Sequence, residues 1–144
     1  TTQCESLRTG ANCVDVEVPD DSYTSNVFGF ATGSYQDRID AFEGTYGNRS
    51  LRICGNDPIT TAALTIVGHT RPDDAKGDRI YYELSWTSPS SRVLVMAAAH
   101  VASGQDSGYG WGAGLGASSV QGGPYQVFIS QLDGTELDRV LSAR

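Results

Sequence analysis

Residues 62–69 read AALTIVGH, and apolar side chains alternate with more polar ones along this stretch. In an extended chain Leu64 and Ile66 fall on one side together with Gly68, and the residues between them fall on the other side. Such alternation predicts a β-strand with one face against a core. The stretch therefore indicates a fold built from β-strands.

Similar short runs recur along the 144-residue chain, separated by turn signals rich in Gly, Pro, Asn and Asp. We predict strands at residues 13–18, 26–31, 38–43, 50–54, 62–69, 79–87, 92–101, 125–131 and 136–142. Short strands with separators of hairpin length are typical of antiparallel sheets. The sequence thus predicts an all-β fold, an antiparallel β-sandwich of Ig-like or jelly-roll-like type, in a single extracellular domain of residues 1–144.

Two of these strands have further features. Residues 93–99, VLVMAAA, are apolar on both faces, which predicts a central strand covered on each side, with a buried helix as the alternative. In the last predicted strand Leu137, Val140 and Leu141 cannot all share one face. That pattern predicts a β-bulge in the strand.

A long glycine-rich loop at residues 104–125 carries eight of the 17 glycines. An ordered segment with so much backbone freedom must be held by its few large side chains. We predict a contact loop that packs over residues 97–99 or over a neighbouring subunit, through the side chains of Tyr109, Trp111, Leu115 and Tyr125. A dinucleotide-binding role is excluded because the next predicted element is a strand and not a helix.

The composition excludes several kinds of partner. The net charge of -7, with scattered basic residues, excludes nucleic acid, which requires a clustered basic face. The longest apolar run, residues 93–99, is far shorter than the roughly 20 residues that span a bilayer, so we expect no membrane insertion. Thr1 follows no leader, which indicates a processed chain, and we expect a secreted protein at the cell surface or outside the cell.

The three cysteines, Cys4, Cys13 and Cys54, have neither zinc-site nor CxxC spacing. We predict a disulfide between Cys4 and Cys13, because the intervening residues ESLRTGAN include a turn that could close a small loop. Cys54 is then a buried free thiol or an intermolecular link.

Catalytic and metal-binding motifs are absent from the sequence, and we expect no enzyme activity, cofactor or metal. His69 and His100 end apolar strands and are expected to be structural, with a small secreted hydrolase as a minor alternative. Calcium binding is a second alternative, because acidic turns contain the carboxylates of Asp20, Asp21, Asp73, Asp74 and Asp78.

Two features concern glycans. Asn48-Arg49-Ser50 is an N-glycosylation sequon at a predicted turn, so Asn48 is a candidate glycosylation site. The rings of the glycine-rich loop could stack on a sugar, although glycines beside them favour packing.

The C-terminal third, roughly residues 100–144, contains AAHVASG at 98–104, GWGAGLGAS at 110–118 and GGPYQVFISQLDG at 122–134. This pattern resembles a β-rich domain of uncharacterised function in secreted bacterial cell-surface proteins. The resemblance implies an extracellular β-rich module, and it assigns no catalytic residue. The family tends to have histidine where this chain has Gln126.

These observations together favour a non-enzymatic structural subunit of an extracellular fibre, pilus-like filament or surface layer. Its expected partner is itself, as a homo-oligomer or polymer that forms by strand addition or by exchange of a terminal segment. The alternative is a carbohydrate- or calcium-binding adhesion module of a secreted protein.

Overall fold

The computed structural model describes residues 3–22, 28–30, 33–69, 80–99, 102–105, 109–114, 116, 126–132 and 135–142. Two helices lie in these ranges, α1 (Gln3–Arg8) and α2 (Tyr35–Tyr46). The strands are β1 (Cys13–Glu17), β2 (Phe28–Phe30), β3 (Gly33–Ser34), β4 (Ser50–Gly55), β5 (Thr61–His69), β6 (Ile80–Thr87), β7 (Val93–Ala97), β8 (Gln126–Leu132) and β9 (Thr135–Ser142).

Strand β4 lies between β1 and β7 in an antiparallel three-stranded sheet. At the two ends of the β1–β4 ladder, the Gly55 amide donates to the Asn12 carbonyl at 3.0 Å and the Val18 amide donates to the Arg49 carbonyl at 2.8 Å. Hydrogen-bonded pairs alternate with non-bonded pairs in such a ladder, so Cys54 is paired with Cys13 at a non-hydrogen-bonded position.

The core lies between this sheet and the β5–β6 hairpin. Val16, Ile53 and Ile59 are buried, with Ile53 0% exposed. Side chains of both strands of the hairpin pack against them, namely Ala62, Leu64, Leu84 and Trp86. The predicted alternation of residues 62–69 is confirmed, since exposed and half-buried residues alternate along the whole of β5.

Helix α2 replaces the strand that the sequence predicts at residues 38–43, and that prediction is wrong. The helix begins at a capping box, in which the Asp37 amide donates to the Ser34 hydroxyl at 3.2 Å and the Ser34 amide donates to the Asp37 carboxylate at 2.6 Å. These bonds satisfy backbone donors that the first turn leaves unpaired. The Ser34 amide, together with the Ser34 hydroxyl at 3.0 Å, donates to the Asp37 carboxylate and holds the pKa of Asp37 below its usual value. Gly47 ends the helix with φ of 89°, a conformation that favours glycine.

Strand β7 is shorter than predicted and is not a central strand. It pairs with β4 through one edge, and no strand in the described ranges pairs with its other edge. Val95 is 41% exposed and Ala97 is exposed, so the apolar run is not covered on both faces. The prediction is wrong because apolar side chains on both faces do not reveal whether a strand has one neighbour or two.

Strands β8 and β9 form an antiparallel hairpin close to their predicted positions. The register shifts between Ile129 and Gln131, where two residues of β9 lie opposite one residue of β8. The predicted bulge in the last strand is thereby confirmed. The extra residue shifts the alternation of the strand, so odd- and even-numbered apolar residues on its two sides can face the same way.

The disulfide joins Cys13 to Cys54, and the exposed Cys4 is free. The predicted Cys4–Cys13 bridge is therefore wrong, as is the expectation of a free Cys54. The physical reason is the β1–β4 register, which places the Cys13 and Cys54 Cα atoms 4.1 Å apart, whereas Cys4 lies on α1 and not on a strand next to β1.

The structure is strand-rich and its sheets are antiparallel, as the sequence predicts. The sheets are small, with three, two, two and two strands in the described residues. The single-domain boundary of residues 1–144 stays a prediction.

Replacement of both Cys13 and Cys54 by Ser should lower the free energy of unfolding by about 4 kcal/mol, because the bridge then no longer restricts the unfolded chain. The estimate follows from the sequence separation of 41 residues. Cys4→Ser is the matched control and should change stability little. Urea denaturation measures both, and an equally large loss for Cys4→Ser would contradict the observed pairing.

Candidate functional site

The described part of the glycine-rich loop packs its aromatic rings on helix α2. The Trp111 ring lies 5.1 Å from the ring of Tyr35, and the Tyr109 ring lies 5.4 Å from that of Tyr46 in an edge-on arrangement. Phe42 extends the group, with its ring 4.9 Å from Tyr46. Two of the four predicted contact residues, Tyr109 and Trp111, thus contact α2. Packing of the loop over residues 97–99 or over a neighbouring subunit stays a prediction.

The tyrosines of this cluster are also joined through their hydroxyls. The Tyr46 hydroxyl donates to the Tyr109 hydroxyl at 3.0 Å. This bond favours the protonated phenol and raises the pKa of Tyr46. Leu115 and Tyr125, the other two predicted contact residues, lie outside the described residues.

The backbone of the loop folds tightly on itself. The Trp111 amide donates to the Ser103 carbonyl at 2.8 Å, which closes the described part of the loop at its base. A Cβ atom on Gly116 would lie 2.4 Å from the Gly104 nitrogen, closer than any side chain tolerates. Glycine is therefore required where these two segments meet, which accounts for part of the unusual composition.

Sequence reasoning did not identify the aromatic residues of α2. They occupy positions 35, 42 and 46, and Ile39 falls between them at helical spacing. This spacing was the available signal, together with Ser34 and Asp37 as a helix start. The strand predicted at residues 38–43 lies in the middle of this spacing and obscures it.

A polar cluster centred on Arg49 joins α2 to the segment after β1. The Arg49 guanidinium donates to the Glu43 carboxylate at 2.6 Å and to the Asp20 carboxylate at 2.9 Å. The Glu43 carboxylate also accepts the Arg49 amide at 3.2 Å. Because Arg49 and Glu43 are mostly buried, the bonds between these two residues are shielded from water better than those of a surface pair, whereas Asp20 is exposed.

His69 and Asp21 lie beside this cluster. The His69 Nε2 atom is 3.3 Å from a carboxylate oxygen of Asp21, a residue that is only 8% exposed. Partial burial raises the pKa of the nearby Tyr82, an effect that the Asp21 charge adds to and the Arg49 charge opposes. With its carboxylates matched to the Arg49 guanidinium and the His69 imidazole, the group has the form of a structural polar network. The second histidine of the sequence, His100, lies outside the described residues.

The three-stranded sheet has an open depression of about 400 Å³ next to α1, on the face that points away from the core. The Arg52 guanidinium spans both oxygens of Asp15 at 2.6 Å there, and the hydrogen bond lowers the pKa of Asp15. Arg8, on the rim, is paired with Glu5. Both arginines of the depression therefore have carboxylate partners.

The remaining candidate residues form no metal site in the described part of the chain or lie beyond it. Asp20 and Asp21 have different partners, Arg49 and His69, and no group of three metal-binding side chains occurs in the described part of the chain. Asp73, Asp74 and Asp78 lie outside it. Asn48 is exposed after the end of α2, with its side-chain amide donating to Glu17 at 2.7 Å, and its glycosylation stays a prediction.

No protein-family model, curated protein or solved structure matches the chain. The resemblance of the C-terminal third to a bacterial cell-surface domain stays a prediction. Among the helices described, none is long and apolar enough to cross a membrane.

Trp111→Ala should lower the free energy of unfolding by about 2 kcal/mol, because the half-buried ring packs against Tyr35. Tyr81→Ala, which removes a more exposed ring from β6, is the matched control and should cost less. Thermal unfolding compares the two. Unchanged stability for Trp111→Ala, with loss of binding to a glycan array, would indicate a stacking platform instead of a packing residue.

Arg49→Gln should destabilise the fold by about 2 kcal/mol, because it leaves the mostly buried Glu43 carboxylate without its cation. Arg52→Gln removes an equally well-formed but more exposed pair with Asp15 and should cost less than about 1 kcal/mol. Denaturant titration at low and high salt measures both variants. Equal losses would show that burial does not set the strength of these pairs.

Proposed function

We propose that the protein is a non-enzymatic structural subunit of an extracellular fibre, pilus-like filament or surface layer. Subunits join by strand addition or by exchange of a terminal segment. The single observation that carries the proposal is the outer edge of β7. An added strand supplies affinity through main-chain hydrogen bonds and needs no catalytic chemistry.

The register shows which backbone groups of β7 face outward. At the end of the β4–β7 ladder the Asn56 amide donates to the Arg92 carbonyl at 3.3 Å, so Arg92, Leu94 and Met96 direct their backbone groups to β4. Val93, Val95 and Ala97 then direct their amides and carbonyls away from β4. These groups form a regular row to which another strand can bind.

Strand β7 lacks the usual protection of an edge strand. Natural proteins blunt such edges with charged residues, proline or a bulge. The sequence of β7, VLVMA, contains neither charge nor proline, and its register with β4 is continuous. The outer edge of β1 differs, because Asp15 and Glu17 lie on it.

Two further observations support the proposal. The Cys13–Cys54 disulfide is typical of oxidising compartments, which supports export of the protein. The β5–β6 hairpin packs across one face of the three-stranded sheet through a shared core, which supports a sandwich of Ig-like or jelly-roll-like type as the finer fold.

An adhesion module that binds carbohydrate is the second candidate. It is favoured by Tyr46, whose ring is 58% exposed beside Tyr109 and can stack on a sugar. It is weakened by the packing of Tyr109 and Trp111 on α2, which occupies rings that a stacking platform would present to solvent.

Val95→Pro should weaken assembly about fivefold or more, because it removes one outward-facing amide worth about 1 kcal/mol as a hydrogen bond. It leaves the β4–β7 bonds in place, since the Val95 amide points away from β4. Val95→Lys, which adds a charge to the same edge, should have the same effect, whereas Ala63→Lys on the exposed face of β5 should not.

Sedimentation velocity over a range of concentrations, with electron microscopy of native material, measures these effects. Wild-type protein that stays a monodisperse monomer at high concentration would contradict the proposal. Assembly that is unchanged by both Val95 variants would show that subunits join elsewhere.

A further inference from the structure

We propose that the strand added to β7 is β7 of a second copy of this chain, antiparallel and centred on Val95. The inference rests on the proposed function. It names the partner that binds the outer edge of β7 and the register in which the two strands pair. Val95 lies at the middle of the five-residue strand. A twofold axis through it would make the contact isologous, the commonest symmetry of homo-oligomers.

The hydrogen-bonding groups of β7 are complete in this register. In an antiparallel pair centred on Val95, this residue faces itself and Val93 faces Ala97 of the second copy. All three residues have their amides and carbonyls directed away from β4. Each therefore meets a residue with the same orientation, and three residues from each copy form six main-chain hydrogen bonds. If one strand were shifted by one residue, each outward-facing residue would lie opposite a residue whose backbone groups point to β4. None of the six hydrogen bonds would then form.

The side chains are equally compatible. Val95 shares the core side of the sheet with Ile53, its partner in β4, and it is 41% exposed. In the centred register Val95 of each copy covers the other. Leu94 and Met96 meet across the axis on the opposite face of the sheet, so apolar residues face apolar residues on both sides.

Charge also favours β7 over β1 as the self-pairing edge. Arg92, the charged residue next to β7, would lie opposite Ala98 and not opposite another arginine. If two copies of β1 paired in the same antiparallel way about their middle residue, Asp15 of one copy would lie opposite Asp15 of the other. Like charges directly opposite one another destabilise a sheet, so the β1 edge opposes this mode of pairing.

The pairing would create a continuous sheet of six strands in the order β1-β4-β7-β7-β4-β1. Both copies would carry their β5–β6 hairpins on the same side of it, because the axis is perpendicular to the sheet. A contact of this kind closes on itself and gives a dimer. A filament would use this dimer as its repeating unit and join the dimers through a second surface.

Cysteine crosslinking tests the register. In a Cys4→Ser background, Val95→Cys subunits should crosslink to one another under mild oxidation, because their Cα atoms would lie about 5.5 Å apart, within the range of disulfides. Val93→Cys alone is the matched control, since two copies of residue 93 would be too far apart to bridge. We expect at least about tenfold more crosslinked dimer from Val95→Cys than from Val93→Cys.

A mixture of Val93→Cys and Ala97→Cys subunits provides an independent measurement. These residues face one another in the centred register, so the mixture should crosslink although neither variant does so alone. The two positions lie on the face of the sheet opposite the Cys13–Cys54 disulfide, which limits exchange with it. Crosslinked peptides are identified by mass spectrometry without reduction.

The outcomes separate this inference from the proposed function. Wild-type assemblies without crosslinks from Val95→Cys or from the mixture would overturn the β7 self-pairing and leave the structural role intact. Crosslinking of Val93→Cys with itself would also overturn it, because that result requires another register. Monomers at every concentration would overturn both proposals.

Discussion

The double pairing of β4 determines the orientation of every side chain in the three-stranded sheet. Since β4 bonds to β1 through alternate residues and to β7 through the others, each of its positions has a fixed direction for both its backbone and its side chain. Ile53 therefore points into the core, whereas Arg52 and Cys54 point to the face that α1 covers in part. The disulfide, the Arg52–Asp15 pair and the outward-facing groups of β7 all follow from this register.

Two interactions of different chemistry help to fix helix α2 to the rest of the described structure. Its aromatic residues hold the glycine-rich loop, and its Glu43 binds Arg49 just before β4. The first contact buries apolar area and depends little on salt, whereas the second is electrostatic and depends on how well water is excluded. Together they explain why a helix with no fully buried residue has a defined position.

Much of the local structure could be predicted from the sequence. The alternation at residues 62–69 and the conflicting parity of Leu137 and Val140 determine a half-buried strand and a bulge because both depend only on neighbouring residues. The disulfide could not be found in this way. Cys13 and Cys54 are 41 residues apart, and only the register of β1 with β4 brings them together.

The candidate site was harder to predict than the strands. The sequence predicts Tyr109 and Trp111 as contact residues, but their partners Tyr35 and Tyr46 lie at the two ends of a helix whose middle, residues 38–43, is predicted as a strand. Helical spacing and strand alternation overlap in a short amphipathic segment. The capping box at Ser34 is the feature that distinguishes a helix from a strand here. The outer edge of β7, unpaired within the described residues, depends on the order of the strands in the sheet, which no local sequence pattern contains.

The position of the disulfide determines which part of the chain extends when its two ends are pulled apart. The bridge joins two neighbouring strands and encloses β2, β3 and α2 between its cysteines. When the chain ends are pulled apart, force passes from Cys13 to Cys54 through the sulfur atoms and bypasses the 41-residue segment. About 140 Å of contour length is then withheld from extension, at roughly 3.4 Å per residue. The backbone of helix α2 would thus carry no load while the rest of the domain is stretched.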